Sequence, residues 1–371
     1  MGLVELLEEA DRQLTICNAC RYCEGYCAVF PALERRSILT DGDVAYLANL
    51  CHDCRACYYA CMYAPPHEFG VNVPEVLAEV RVHTYRAYGW PALASRLLSM
   101  GVASTVLASL AAGIAVLGLV LALGPPHRLI EAHPGPGAFY RIVPYAAMAV
   151  PFLLLSAWVG AAMVASGLRF WRDTGARLPD LLDVRAVLTA ARESLSLEQL
   201  RGGGEGCYYP SERPSGSRRL LHSLVVSGFA SALAATVAAA VMQDLLGLEP
   251  PYPLWSPPVV LGCLGGAALI AGTTGLLLLK RRSDPRPASP RMIAGDYGFL
   301  ATLDLVSVTG MLTLALRSTP ALGVILTIHL ATLVALFLTL PYGKSVHFVY
   351  RYAALVRNRA EARREARAGG R

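Results

Sequence analysis

The chain has 371 residues, of which 54% are hydrophobic and only 16% charged, and it carries a formal net charge of +6. Soluble domains carry about 25% charged residues and the mean hydropathy here is +0.44, so a wholly soluble protein is excluded. The basic residues lie between and beyond long apolar runs, which reads as membrane topology and argues against a nucleic-acid partner.

Residues 1–95 read as a soluble head. Its start, MGLVELLEEADRQ, is acidic and amphipathic, without the basic start and apolar stretch of a signal peptide. The head is therefore expected in the cytoplasm, where thiols stay reduced. Eight of the ten cysteines fall in it. They form two runs of one spacing, C-x2-C-x2-C-x3-C: Cys17, Cys20, Cys23 and Cys27, then Cys51, Cys54, Cys57 and Cys61. Thiolates at this spacing wrap the iron corners of a [4Fe–4S] cube, and in two-cluster ferredoxins the fourth cysteine of each run serves the other cluster. The predicted ligand sets are Cys17, Cys20, Cys23 and Cys61 for one cluster, and Cys51, Cys54, Cys57 and Cys27 for the other. Zinc sites use paired knuckles or add histidine, so zinc is the weaker reading. Strand signals are poor, which predicts an α-helical ferredoxin-like head. His52 and His67 are read as plain surface residues in preference to groups that support the cluster ligands, and Pro65, Pro66 and Pro74 break the chain after the second run.

Residues 96–371 read as a membrane domain. Six apolar stretches, near 99–123, 142–168, 221–245, 259–279, 298–316 and 321–343, are each long enough to cross a bilayer as a helix. The fold class is thus all-α, a two-cluster head followed by a six-helix transmembrane bundle. The 169–219 loop is rich in arginine, the 280–291 loop holds Lys280, Arg281, Arg282, Arg286 and Arg291, and the tail is basic from Lys344 onward. The opposite loops hold only Arg128 and Arg141, none, and Arg317. The positive-inside rule then puts both termini in the cytoplasm, as in a protein of the cytoplasmic (inner) membrane. Residues 178–200 predict an interfacial or docking helix. The glycine-rich GGGEGCYYP (202–210) has no strand before it, so a packed turn against the head or a helix end is expected rather than a phosphate loop. Cys263 is a small apolar residue in a span; no role is assigned to Cys207.

A histidine inside a span is costly and is a functional hypothesis by default. His329 and His347 are eighteen residues apart, which on one ideal helix is about 27 Å and five whole turns, on a single face. His222 opens the third span at the level of His347. These two are predicted to be axial ligands of a b-type haem, with Arg218, Arg219 and Arg351 placed for its propionates. His329 marks a possible second site, but position 243, where its partner would be expected, is Gln243; His127 and His133 are other candidates. Alternatively His329 lines a quinone pocket.

CNACRYCEGYCAVFPALE (17–34), LCHDCRACYYACMYAPPHEFGVNVP (50–74), GGGEGCYYPSERPSGSRRLLH (202–222) and LPYGKSVHFVYRYAAL (340–355) give the chain, over nearly its whole length, a resemblance to the tricarballylate-utilisation protein B, or citrate-utilisation B, family. The sixth span is also distantly similar to the γ subunit of respiratory nitrate reductase. The family resemblance implies a membrane iron–sulfur protein that takes electrons from the reduced FAD of a partner dehydrogenase (a tricarballylate dehydrogenase-like flavoprotein) and passes them to membrane quinone. It also implies a histidine where this chain has Gln243. No substrate-activating residue set is found in the sequence, so the expected part is that of an electron-transfer subunit. The competing readings are a quinol-oxidising cytochrome subunit feeding a cytoplasmic reductase, and a non-enzymatic iron–sulfur redox sensor in the membrane.

Overall fold

The computed structural model describes residues 2–99 and 101–369. The head opens with α1 (Leu3–Cys20), α2 (Val29–Glu34), α3 (Asp41–Leu50), the short α4 (Ala56–Tyr59), α5 (Val73–Tyr88) and α6 (Ala92–Leu97). Local chemistry sets these boundaries. Thr40 and Asp43 form a reciprocal cap on α3, and Asn72 accepts from Glu75 N–H with Pro74 in the first turn of α5. On α1, Leu6, Ala10 and Leu14 recur four apart and are buried, one helical stripe facing the core. All of α3 from Val44 to Leu50 is buried.

The membrane domain follows: α7 (Val102–Ala122), a short α8 (Ala138–Ile142), α9 (Tyr145–Asp173), α10 (Val184–Ser196), α11 (Ser217–Asp244), α12 (Pro257–Arg281), α13 (Pro290–Ala315), α14 (Leu322–Thr339) and α15 (His347–Gly369). Six of these, α7, α9, α11, α12, α13 and α14, are long and apolar enough to cross a membrane, as the sequence predicts. Their outward leucines and valines, such as Ile114, Leu153, Val164 and Leu264, are exposed, as lipid-facing positions are in a multi-pass membrane protein. The α11–α12 pair packs closest. A Cβ on Gly228 would stand 2.9 Å from the Gly265 carbonyl, and one on Gly272 2.9 Å from that of Leu221, so glycine lets the two backbones touch. The only strands among the described residues are the two-residue pair Cys207–Tyr208 and Pro214–Ser215.

Two features lie outside the sequence reading. The basic tail is a helix of the head's core: α15 packs into the head, where Tyr350, Ala354, Leu355 and Val356 join the core formed by α1, α3 and α5. Tyr350 stacks near Tyr85 and Phe170, at 5.6 and 5.2 Å between ring centroids, which welds the head to the end of α9. Beside it, Asp43 and Glu361 bridge two buried guanidinium groups: Arg36 lies 2.6 and 2.9 Å from them, and Arg357 3.2 and 2.8 Å. Both guanidinium groups flank the Tyr46 ring.

Secondly, His329 and His347 do not share a helix. α14 stops at Thr339 and a tight turn through Pro341, Gly343 and Lys344 intervenes before α15 begins at His347. Pro341 cannot continue the hydrogen-bond ladder, so the five-turn register does not exist. The 178–200 segment does dock: α10 lies along α15, fastened by Arg363 to Asp183 at 2.9 Å and by Arg359 to Glu193.

Candidate functional site

Cys17 and Cys20 occupy the last turn of α1, which Arg21 ends in a left-handed conformation while its N–H bonds the Cys17 carbonyl. Cys23 and Cys27 lie in the turns before α2. Cys51 caps α3, and the chain then bends sharply, with Asp53 and Arg55 both at positive φ, non-glycine conformations that cost energy and concentrate at functional sites. This bend turns Cys54 and Cys57 back toward the first run.

The eight thiols fall into two groups. Cys17, Cys20, Cys23 and Cys61 line one cavity together with Cys57, Phe30 and Val71. Cys27, Cys51, Cys54 and Cys57 form the second group, in which Cys27, Cys54 and Cys57 each feel their neighbours' charge. Burial first, and neighbouring thiols second, push Cys17 and Cys27 up to about 12 and Cys23 to about 11. As bare thiols these groups are protonated; together as thiolates they need a strong positive centre among them. Backbone N–H groups are aimed at the sulfurs: Val29 and Phe30 at Cys27, Ala56 at Cys54, Tyr63 and Ala64 at Cys61, and Asp53 at Cys51, 3.4 Å away. The first group's thiols are ranged around a space, as cluster ligands are.

The second group is ringed by cations. Arg81 is buried and donates to the carbonyls of Ala48 and Cys51 at 2.9 and 3.0 Å. Arg351 donates to Cys51 O at 2.9 Å and Arg218 to Asp53 O. Arg55 and Arg218 clasp the ring of Tyr209, whose hydroxyl donates to Asp53 at 2.8 Å. The Nε atoms of Arg55, Arg81 and Arg351 are buried without a partner, which suits an anionic group nearby.

The glycine-rich segment seals this group. Tyr208 N–H donates to Cys54 O at 2.9 Å and the Tyr208 ring stacks on Tyr59. Gly206 has φ +116, and a Cβ there would lie 2.6 Å from Ser215 O. The segment is thus a lid packed on the head, held there by backbone only glycine can supply. Cys207 is fully buried beside Cys54, its thiol donating to Leu200 O at 3.2 Å; the sequence offered no reason to connect it to the cysteine runs.

On the membrane side, the rings of His222 and His347 face each other with centroids 6.3 Å apart and planes tilted by 44°. An ion bonded to two imidazoles at about 2.0 Å separates their centroids by roughly 6 Å. His347 Nδ1 donates to Lys344 O at 2.7 Å, which leaves Nε2 with its lone pair. Burial, then the Arg351 and Lys344 charges, hold this imidazole well below the usual histidine range and therefore neutral. Of the three arginines read as propionate partners, Arg219 donates to Ser196 O at 2.9 Å. Arg218 and Arg351 reach the second cysteine run, their charges also act on His222, and Arg351 keeps an unpartnered Nε.

His52 is not a plain surface residue. It donates to Leu50 O at 2.8 Å and feels Arg351 and Arg218. His67 meets Tyr63 edge-on, with ring centroids 5.2 Å apart. His329 lies 3.0 Å from Thr309 Oγ1 between α13 and α14. Gln243 accepts from Tyr140 at 2.9 Å, and His133 is bonded to Arg128 O at 2.8 Å.

The chain is similar to known proteins over nearly its whole length. Residues 10–87 match the Fer4-like domain model of citrate utilization protein B, and residues 99–369 match the citrate utilization protein B model itself. The citrate utilization protein B of Escherichia coli is 41% identical over 368 residues, covering 99% of this chain and 96% of that one. No solved structure matches. A Fer4-like head on a six-helix membrane domain fits iron–sulfur electron transfer. The chain belongs to the citrate utilization protein B family.

Proposed function

We propose that this protein is the electron-transfer subunit of a quinone-linked system in the cytoplasmic membrane, with both termini on the cytoplasmic side. It takes electrons from the reduced FAD of a partner dehydrogenase, carries them through two [4Fe–4S] clusters and a b-type haem, and delivers them to the quinone pool. Cys17, Cys20, Cys23 and Cys61 hold one cluster; Cys27, Cys51, Cys54 and Cys57 hold the other; His222 and His347 ligate the haem.

The observation that carries this reading is the order of the groups from the surface inward. Cys20 is exposed to a docking partner. Cys57 borders both thiol groups. The carbonyl of Cys51 is bonded to Arg351, one helical turn from His347, which faces His222. When bound, clusters and haem supply one-electron steps between a flavin and a quinone, each of which exchanges two. The protein's own residues keep water from the inner thiols, balance their charge with Arg55, Arg81, Arg218 and Arg351, and hold His347 in one tautomer through Lys344 O.

Anaerobic purification in detergent tests this. About eight non-haem iron atoms with matching sulfide, and a haem Soret band that is reoxidised when a quinone analogue meets the reduced protein, are expected. Colourless protein sinks the proposal. Reduced protein that is indifferent to quinone sinks its final step.

A further inference from the structure

α10 has two faces, and α15 covers only one. Ala186, Ala190 and Glu193 are buried on the side that meets α15, where Tyr352 also donates to Val187 O at 3.2 Å. Val184, Leu188 and Leu195 fall within about 40° of one another on a helix of 3.6 residues per turn, nearly opposite that side. They are 65, 63 and 75% exposed, and Leu182 in the preceding turn is 81% exposed. An apolar stripe this open marks an interaction surface. The charges divide in the same way. Asp180, Asp183 and Glu193 are each taken by an arginine of α15: Arg364, Arg363 at 2.9 Å, and Arg359. Arg185 and Arg192 are exposed, and no carboxylate among the described residues pairs with them. Seven residues apart, they share one flank of the stripe. The outward side of α10 is therefore apolar and cationic.

The spans set the depth of this helix. Tyr145 donates to Asp244 at 2.6 Å, which levels the far ends of α9 and α11. A hydrocarbon core takes about 20 helical residues, so its head-side edge falls roughly at residue 165 on α9 and 224 on α11. α9 ends at Asp173, and the turn Leu178–Leu182 leads from there into α10. At the other end Arg219, in the first turn of α11, donates to Ser196 O at 2.9 Å. Both ends of α10 are tied to chain that has just left the bilayer core, and its open side faces away from the head. We propose that α10 lies in the head-side membrane interface, with Leu182, Val184, Leu188 and Leu195 at the acyl boundary and Arg185 and Arg192 on anionic phospholipid headgroups. An apolar stripe flanked by arginines is how interfacial helices bind, and an anionic leaflet attracts the arginines. The inference goes beyond the electron path and does not rest on it. α10 becomes a strut between the lipid and α15, the helix that carries His347 and Arg351.

The test uses the full chain with its cofactors in lipid nanodiscs, one set of phosphatidylcholine alone and one with phosphatidylglycerol added. A phosphatidylglycerol carrying a diazirine in its headgroup is photolysed and the labelled peptides are mapped by mass spectrometry. Hydrogen exchange of residues 184–196 is followed in both sets and in detergent. Label is expected in segment 178–195, and exchange there should slow about tenfold when phosphatidylglycerol is added. Arg185→Gln combined with Arg192→Gln should abolish that slowing and keep the exchange seen in phosphatidylcholine. Leu188→Glu should quicken exchange in both sets. Its side chain is exposed, so an unchanged iron content is expected and shows that the chain has folded. No label in the segment, or equal exchange in detergent and in both nanodiscs, overturns the proposal. Slowing that the double arginine variant retains overturns the headgroup contact. Cross-links from this segment to a second copy, in place of the lipid label, overturn the lipid as occupant.

Discussion

His222 and His347 stand 6.3 Å apart, centroid to centroid, although one lies in the second turn of a span and the other opens the helix that closes the head. Replacing either by alanine is expected to abolish the Soret band while leaving the iron–sulfur signals in electron paramagnetic resonance. Retention of full haem by both variants would show that the pair is not the ligand set.

The crossed fourth ligands make a second prediction. Cys61→Ser should damage the cluster held by Cys17, Cys20 and Cys23, and Cys27→Ser the inner one, each reducing iron from about eight toward four atoms. Cys207→Ala should leave the count unchanged, because its thiol is spent on Leu200 O. If Cys207→Ala loses iron, the ligand sets are wrong.

Arg351 sits against the backbone of Cys51 with a bare Nε. A cation there favours the reduced, more negative cluster. Arg351→Met should lower the midpoint potential of the inner cluster, on the order of 50 mV, leaving the outer one unmoved. Redox titration of the two signals reads this directly, and equal shifts in both would rule the local account out.

Glu361 balances two buried arginines. Glu361→Ala leaves Asp43 as their single shared carboxylate and is expected to cost about 3 kcal/mol, seen as a lower melting temperature of the head by tyrosine fluorescence. Glu361→Gln should fall between. An unchanged melting temperature would mean that α15 is held by Tyr350 and its apolar neighbours alone.

The same network carries a pH dependence. Burial raises Asp43, but hydrogen bonds from Arg36 and Thr40 outweigh it, and the net shift is downward. A depressed carboxylate contributes stability that is complete above its unfolded value, about 4, and is lost as pH falls through the folded value. Hydrogen exchange at the α3–α15 contact should therefore quicken only in acid, below about pH 4. Quickening between pH 8 and 6 would assign the effect to a histidine instead.

Much of this was legible in the residues. Thiolate spacing and span length are local signals, so the cysteine runs and six spans could be read directly, and His222 with His347 followed from the charge levels of the loops. What could not be read was long-range. The register linking His329 to His347 assumed a continuous helix through Pro341, and the turn at Gly343 removes it. Nothing local says that the carbonyls of Asp53 and Cys51 will come to meet Arg218 and Arg351. The inward turn of His52 depends on the left-handed bend at Asp53, an energetically costly conformation that side-chain type does not predict. Cys207 finds Cys54 across more than 150 residues.

The position of α15 has a bearing on biogenesis. During synthesis α1 leaves the ribosome first and α15 follows all six spans, yet Tyr350, Ala354 and Leu355 close the core around α3. Until the last helix arrives, the inner thiols lack Arg351 and the core around α3 lacks Tyr350 and Leu355. Membrane insertion is thus a precondition for a finished head, and a chain stalled before α15 offers the iron–sulfur loading machinery an open nest rather than a closed one.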